Sequence, residues 1–258
     1  MSFIASTDFS FPAALAYQMS HLKTLLDFKT MEKRIYIVNG LLEIIQIILF
    51  IFILSLRMMN MEKGNTANIL DSLRNARRMP QIILPKDAAM IVAYTGLTSG
   101  WTVLDAGTGS GFLAMFIANL VKPGKVVSYE VNGAYARNAA ENAKRAGLAN
   151  LQVINKDIFT VQLTGKYDLV TLDLKNSDKL INKVYTVLKK GGFLVIYSPQ
   201  IEQVKAVRKE MEGKELQFTD VTTIENIVRE WQVNESWTHP VPSGLVHTGF
   251  LTVGRKAM

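Results

Sequence analysis

Val103-Leu104-Asp105-Ala106-Gly107-Thr108-Gly109-Ser110-Gly111 decides the fold of this 258-residue chain: a short apolar run meets three alternating glycines. The run reads as a strand over about 101–105, and the apolar stretch Phe112 to Leu120 after the loop reads as a helix. A strand that ends on such a loop and opens a helix makes a cradle for a nucleoside cofactor. The missing side chains let the backbone come close to a ligand and allow positive φ.

The spacing narrows the cofactor. Dinucleotide sites read G-x-G-x-x-G, whereas Gly107, Gly109 and Gly111 follow G-x-G-x-G, a shorter form that favours S-adenosylmethionine over NAD. The next strands add acids at their tips. Lys125–Tyr129 leads to Glu130, placed to hold ribose hydroxyls about twenty residues past the loop. Leu151–Asn155 is followed by Asp157 and Ile158, placed for the adenine amino group, and Tyr167–Leu172 ends at Asp173. With Asp105, four successive strands carry an acid at or beyond the carboxyl end, where open parallel sheets bind ligands. Singly, each acid is equally a helix cap or a loop residue.

Further along, strands and helices alternate. Helices are expected from Asp87 to Val92 before Gly96, over Gly133–Ala146 and over 177–189 before Gly191-Gly192, and a fifth strand over Phe193–Tyr197. That order predicts an α/β fold, a mostly parallel sheet wrapped by helices on both faces. Gln217–Ile224 and His247–Val253 are strand-like with no long helix between them, which predicts an antiparallel pair at the sheet edge. Residues 61–100 read as a basic linker with leading helices, and 101–258 as the S-adenosylmethionine-binding domain.

Residues 1–60 are of another kind. Between 35 and 56 there is one charge, Glu43, and as a helix the segment would reach about 33 Å, enough to cross a bilayer. Three readings stand: a membrane anchor, a packed helix carrying Asn39, Glu43 and Gln46, or an extension ahead of a true start at Met58, Met59 or Met61. The last is preferred over membrane association.

Cysteine is absent, which excludes disulfides and thiolate metal sites and fits a cytoplasmic protein. His21, His239 and His247 are too scattered to suggest a metal site, and none is expected. The net charge of +7 suits a polyanionic partner.

An ordered set of motifs carries a resemblance. Arg77-Arg78, Gln81 to Asp87, the glycine loop, Ser128-Tyr129-Glu130, Leu172-Asp173-Leu174, Tyr197-Ser198-Pro199, Gln203-Val204 and His247-Thr248-Gly249-Phe250 occur in that order. Residues 74–256 thereby resemble the tRNA adenine-N1 methyltransferases that modify position 58 of the T-loop, especially the archaeal type, some of which also act on position 57. The resemblance implies a class I methyltransferase fold, Rossmann-like with a mostly parallel seven-stranded sheet, S-adenosylmethionine as donor, tRNA as substrate and a homotetramer. Two positions depart from the family pattern: Lys175 stands where Pro is common, and Leu84 where Tyr or His precedes Pro-Lys-Asp. The family's small N-terminal domain is not recognisable in residues 1–60.

On that footing Asp173 is the expected catalytic residue, its carboxylate holding the exocyclic amine of the target adenine. Gly107, Gly109, Ser110, Gly111, Glu130, Asp157 and Ile158 are expected around the cofactor, with Phe112 and Tyr135 as weaker candidates. Tyr197 either stacks on the base or packs under the sheet, and His247 either borders the pocket or is structural. Arg74, Arg77, Arg78 and Lys86 either meet tRNA phosphates or form a solvated basic face. Two other readings stay open: a class I methyltransferase acting on a small molecule or protein acceptor, and a non-catalytic tRNA-binding subunit.

Overall fold

In a computed structural model of the chain, residues 19–20, 44–52, 68–79, 82–242, 244 and 247–258 are described. The chain divides into two units, Met1–Asn65 and Thr66–Met258. In the first, residues 44–52 are helical and their large apolar side chains are exposed. The rest of the 35–56 segment, the candidate starts at Met58, Met59 and Met61, and His21 lie outside the described residues. Among the described residues no helix is long and apolar enough to cross a membrane.

The second unit is built on a seven-stranded sheet. Its strands are β1 (Thr102–Ala106), β2 (Lys125–Tyr129), β3 (Leu151–Ile154), β4 (Tyr167–Leu172), β5 (Leu188–Ser198), β6 (Phe218–Glu225) and β9 (Phe250–Lys256). They lie in the order β3-β2-β1-β4-β5-β9-β6, and the five from β3 to β5 are mutually parallel. β9 runs antiparallel between β5 and β6, so the expected antiparallel pair at the edge is present. Two further strands, β7 (Trp231–Val233) and β8 (Thr238–Pro240), form a separate exposed hairpin that the sequence did not suggest.

Both faces of the sheet are covered, which is why its central strands read as nearly unbroken apolar runs. Successive side chains point to opposite faces. Val103, Leu169 and Val195 join one core, with α2 (Pro85–Thr95) and α3 (Phe112–Val121). Leu104, Val170, Leu194 and Ile196 join the other, with α5 (Ile181–Val187) and α6 (Ile201–Met211). Helix α3 has seven buried residues of ten, so its sequence has almost no polar face. Helix α4 (Gly133–Arg145) is amphipathic and buries small residues, Ala136, Ala139 and Ala143. Helix α2 opens at Pro85, two residues ahead of the start expected near Asp87, and runs past Val92 to Thr95, where Gly96, at φ +66°, closes it as expected. A short α1 (Ile69–Arg74) precedes them.

A larger difference from expectation lies farther along the chain. The helix expected over 177–189 is a 3-10 turn at Ser177–Leu180 followed by the short α5, and β5 begins at Leu188 rather than Phe193. Gly191 and Gly192 therefore lie inside a strand. Gly191 adopts φ +73°, and a Cβ on Gly192 would stand 2.9 Å from the Asp168 carbonyl. The pair permits an irregular crossing against β4, whose register shifts between Tyr167 and Leu169.

Candidate active site

The tips of β1 to β4 surround a cavity of about 440 Å³. Seven of the expected site residues line it together: Gly107, Gly109, Glu130, Tyr135, Asp157, Ile158 and Asp173. Backbone proximity explains the first glycine. Gly107 adopts φ +90°, and a Cβ there would lie 1.9 Å from the Asp173 carbonyl oxygen. The Asp173 amide in turn donates to the Ala106 carbonyl at 2.9 Å. The end of β1 and the acid after β4 are thus in direct contact, and only glycine fits between them.

Glu130 is almost fully buried and oriented by two backbone amides. Gly109 donates to its Oε2 at 2.9 Å and Asn132 to its Oε1 at 2.8 Å. Each oxygen keeps acceptor capacity for a ligand hydroxyl. Asp157 is aimed similarly, its Oδ1 accepting the Phe159 amide at 2.9 Å. Tyr135 sits in the first turn of α4, where Asn132 caps the helix by accepting from the Ala134 and Tyr135 amides.

Asp105, the first of the four strand-tip acids, does not line this cavity. Register puts Asp105 level with Ser128 of β2 and Thr171 of β4 on one face of the sheet. Ser128 donates to its Oδ2, and Thr171 to its Oδ1 at 2.6 Å. Because the Ser128 proton is used there, Thr108 must donate to Ser128, at 2.5 Å. Burial pushes the Asp105 carboxyl up, against the lowering effect of its two hydroxyl donors.

Asp173 has no hydrogen-bond partner for its carboxylate among the described residues. Burial, with Asp105 and Glu130 adding repulsion, pushes its pKa up to about 7. A carboxylate kept unpaired at that cost, on the rim of a cavity, is a functional-site signature.

The other expected residues lie outside the cavity lining. Ser110 faces the protein: its hydroxyl accepts the Met79 amide at 2.7 Å, and its carbonyl accepts from Asn142 at 3.0 Å. Gly111, at φ +84°, caps α3 and packs on Ala139. Phe112 is buried beneath the Arg78 guanidinium, 5.5 Å from its ring centroid. Arg77 and Arg78 are exposed on a segment that α4 holds against the glycine loop, with Asn138 and Asn142 both donating to the Arg77 carbonyl at 3.0 Å. Arg74 is exposed and reaches Asp71 at 3.5 Å.

Tyr197 is half-buried at the end of β5, the strand next to that of Asp173. Its phenol is pushed up to about 12, mainly by burial. His247 is exposed, with Nδ1 on Glu225 at 2.5 Å and Nε2 on the Pro199 carbonyl at 3.0 Å; these contacts raise its pKa. Lys86 donates to Asp87, Thr248 and the Asn226 carbonyl, so all three ammonium protons are used within the protein.

Sequence reasoning missed several lining residues: Tyr129, Val131, Lys156, Phe159, Leu174, Lys175 and Asn176. All lie within three residues of a strand-tip acid, and that adjacency is the signal that finds them. Among the described residues no group of three or more His, Asp or Glu is arranged to hold a metal.

A glycine-floored hollow with carboxylates at three of its surrounding strand tips fits S-adenosylmethionine. The chain matches the family model described as the tRNA methyltransferase complex GCD14 subunit over residues 70–243. It is 33% identical over 226 residues to the tRNA (adenine(57)-N(1)/adenine(58)-N(1))-methyltransferase TrmI of Methanocaldococcus jannaschii, covering 75% of this chain and 79% of the relative. To a tRNA (adenine(58)-N(1))-methyltransferase TrmI of Thermus thermophilus it is 34% identical, covering 71% and 72%. The crystal structure of Aquifex aeolicus TrmI superposes with a TM-score of 0.68 at 24% identity, over 74% of this chain and 72% of that one, a likeness of fold.

Proposed function

Because this chain belongs to the GCD14 tRNA methyltransferase family, we propose that it methylates N1 of adenine in the T-loop of tRNA, at position 58 and with position 57 as a second target. The observation that carries the reading is the unpaired, high-pKa carboxylate of Asp173 beside the glycine-lined cavity. S-adenosylmethionine, when bound, would supply an electrophilic methyl on a sulfonium: adenine N1 takes it with its own lone pair, the C–S electron pair returns to sulfur as a neutral thioether leaves, and the positive charge passes to the base. Little proton chemistry is required of the protein. Its tasks are to hold both partners in line and to stabilise the positive charge that appears on the base.

Glu130 accepts from the ribose hydroxyls and Asp157 with Ile158 meets the adenine of the donor. Gly107 and Gly109 let the backbone close on its ribose and methionine portions. Asp173 accepts from the exocyclic amine of the target base, and its negative charge favours the cationic product. That pairing also offsets the burial, and the repulsion from Asp105 and Glu130, that otherwise oppose ionisation of Asp173. N1 lies on the pairing edge, so the target adenine leaves its tertiary pair and enters the pocket before reaction. Arg77 and Arg78 contact tRNA phosphates in this reading, which their exposure beside the glycine loop supports. Exposed Trp231, Val233 and Trp237 on the β7–β8 hairpin support association into a homo-oligomer, which light scattering would measure.

Incubating the protein with unmodified tRNA and S-adenosylmethionine, then mapping methylated adenosines, tests the reading. N1-methyladenosine in the T-loop is expected. Methylation of small acceptors with none in tRNA would overturn it.

A further inference from the structure

Proposed catalysis leaves one buried ion pair without a role. Asp87, in the first turn of α2, is 1% exposed, and its carboxylate accepts from Lys86 at 2.7 Å and from the Thr248 hydroxyl at 2.9 Å. Lys86 also donates to the Thr248 hydroxyl at 2.8 Å and to the Asn226 carbonyl at 2.5 Å, and Asn226 donates back to the Lys86 carbonyl at 2.9 Å. The Thr248 hydroxyl therefore accepts from Lys86 and donates to Asp87, a closed arrangement with every proton assigned. These contacts span 140 to 162 residues of sequence, so they join α2 to the chain on both sides of the hairpin.

The same short segment grips Tyr197. Its hydroxyl donates to the Thr248 carbonyl at 2.5 Å. Gly249 is buried under the ring, where a Cβ would stand 2.5 Å from Cζ and 2.7 Å from the hydroxyl oxygen. Tyr197 follows Ile196, which is level with Leu172, so it stands beside Asp173 on the side away from β1. Charges on Asp87 and on Asp173 both act on its phenol, so both carboxylates stand near the ring.

We propose that Lys86, Asp87 and Thr248 form a positioning brace that fixes the Tyr197 ring beside Asp173, on the side where the target base enters. Lys86 is then an internal strut rather than a phosphate ligand. The base-entry part rests on the adenine-N1 reading above, whereas the brace itself does not.

Two measurements on the full chain separate these. In the first, the protein carries 3-fluorotyrosine and the Tyr197 resonance is assigned by its loss in Tyr197→Phe. Thr248→Val and Lys86→Met should shift or broaden that resonance, and Thr248→Ser should leave it in place. An unmoved resonance in Thr248→Val and Lys86→Met overturns the brace, whether or not the protein acts on tRNA. Thr248→Val retains the ion pair, so it serves if Lys86→Met does not fold.

The second is steady-state methylation of tRNA across a range of salt. Thr248→Val and Lys86→Met should lower kcat at least tenfold, with tRNA KM and its salt dependence unchanged and Thr248→Ser close to wild type. Thr248→Val combined with Tyr197→Phe should be no worse than the poorer single variant, because the two act as a unit. A raised KM in Lys86→Met, with a salt slope reduced by about one phosphate contact and kcat intact, would instead make Lys86 a tRNA ligand. Wild-type protein that leaves tRNA unmethylated overturns the base-entry part together with the activity reading, while the fluorine resonance still decides the brace.

Discussion

Replacing Asp173 by Asn should stabilise the protein while nearly abolishing methyl transfer. The carboxyl titrates near 7 instead of 3.8 because burial, Asp105 and Glu130 all oppose its charge. One pKa unit corresponds to about 1.4 kcal/mol, so holding Asp173 ionised costs the folded state up to about 4 kcal/mol above pH 7. The sign follows from linkage. A carboxyl whose pKa is raised by folding keeps its proton better in the native state, so stability falls as pH climbs from about 4 to 7. The Asn side chain carries no such burden at any pH. The stability gap between variant and wild type should therefore widen by about 2–3 kcal/mol from pH 5 to pH 8.5. For a domain of this size that is a rise of about 5–10 °C in the difference between melting temperatures. In parallel, loss of the charge-stabilising acceptor should cut kcat by about 100-fold or more while S-adenosylmethionine still binds. Thermal melts at the two pH values, with a methylation assay on the same samples, make the test. A gap that is the same at both pH values, or an Asp173→Asn protein that turns over like wild type, would refute the reasoning.

Three more outcomes follow from the same geometry. Gly107→Ala should lose both stability, by about 3 kcal/mol or more, and donor binding, since its Cβ would overlap the Asp173 carbonyl at a positive φ; melting and calorimetry would read this. Glu130→Gln keeps the shape but weakens acceptance from ribose hydroxyls, so the donor's Kd should rise about tenfold or more, at about 1.5–3 kcal/mol per charged hydrogen bond; unchanged affinity by calorimetry would remove Glu130 from the site. For wild-type protein, kcat/KM for tRNA should climb with pH as Asp173 ionises near 7 and level off above it; a profile flat from pH 5.5 to 8.5 would contradict the need for its charge.

Much of this site can be read from the chain because its parts are local. Each strand tip brings its acid with it, and the glycine loop follows β1 within five residues, so periodicity and spacing place Glu130, Asp157 and Asp173 around one hollow. Asp105 breaks the pattern because register, which local sequence does not display, sets it level with Ser128 and Thr171 and turns it into the sheet. Gly191-Gly192 reads as a helix stop, yet it serves a strand crossing whose crowding comes from Asp168 and Tyr167 in the neighbouring strand. Lys86 is the clearest case. Exposed-looking and basic in sequence, it is committed to Asn226 and Thr248, residues far down the chain that only the closed sheet brings near. The β7–β8 hairpin is illegible because its strands have three residues each, too few for the alternation in Trp231-Gln232-Val233 to stand out, and Thr238-His239-Pro240 has none.

Nucleoside mass spectrometry of T-loop fragments, after purified protein meets unmodified tRNA and a methyl-labelled donor, tests the central claim most directly. Label should appear on N1 of adenine with wild-type protein and vanish with Asp173→Ala, whose donor binding persists. Label on N6, on another base, or undiminished in the Asp173→Ala protein would contradict it.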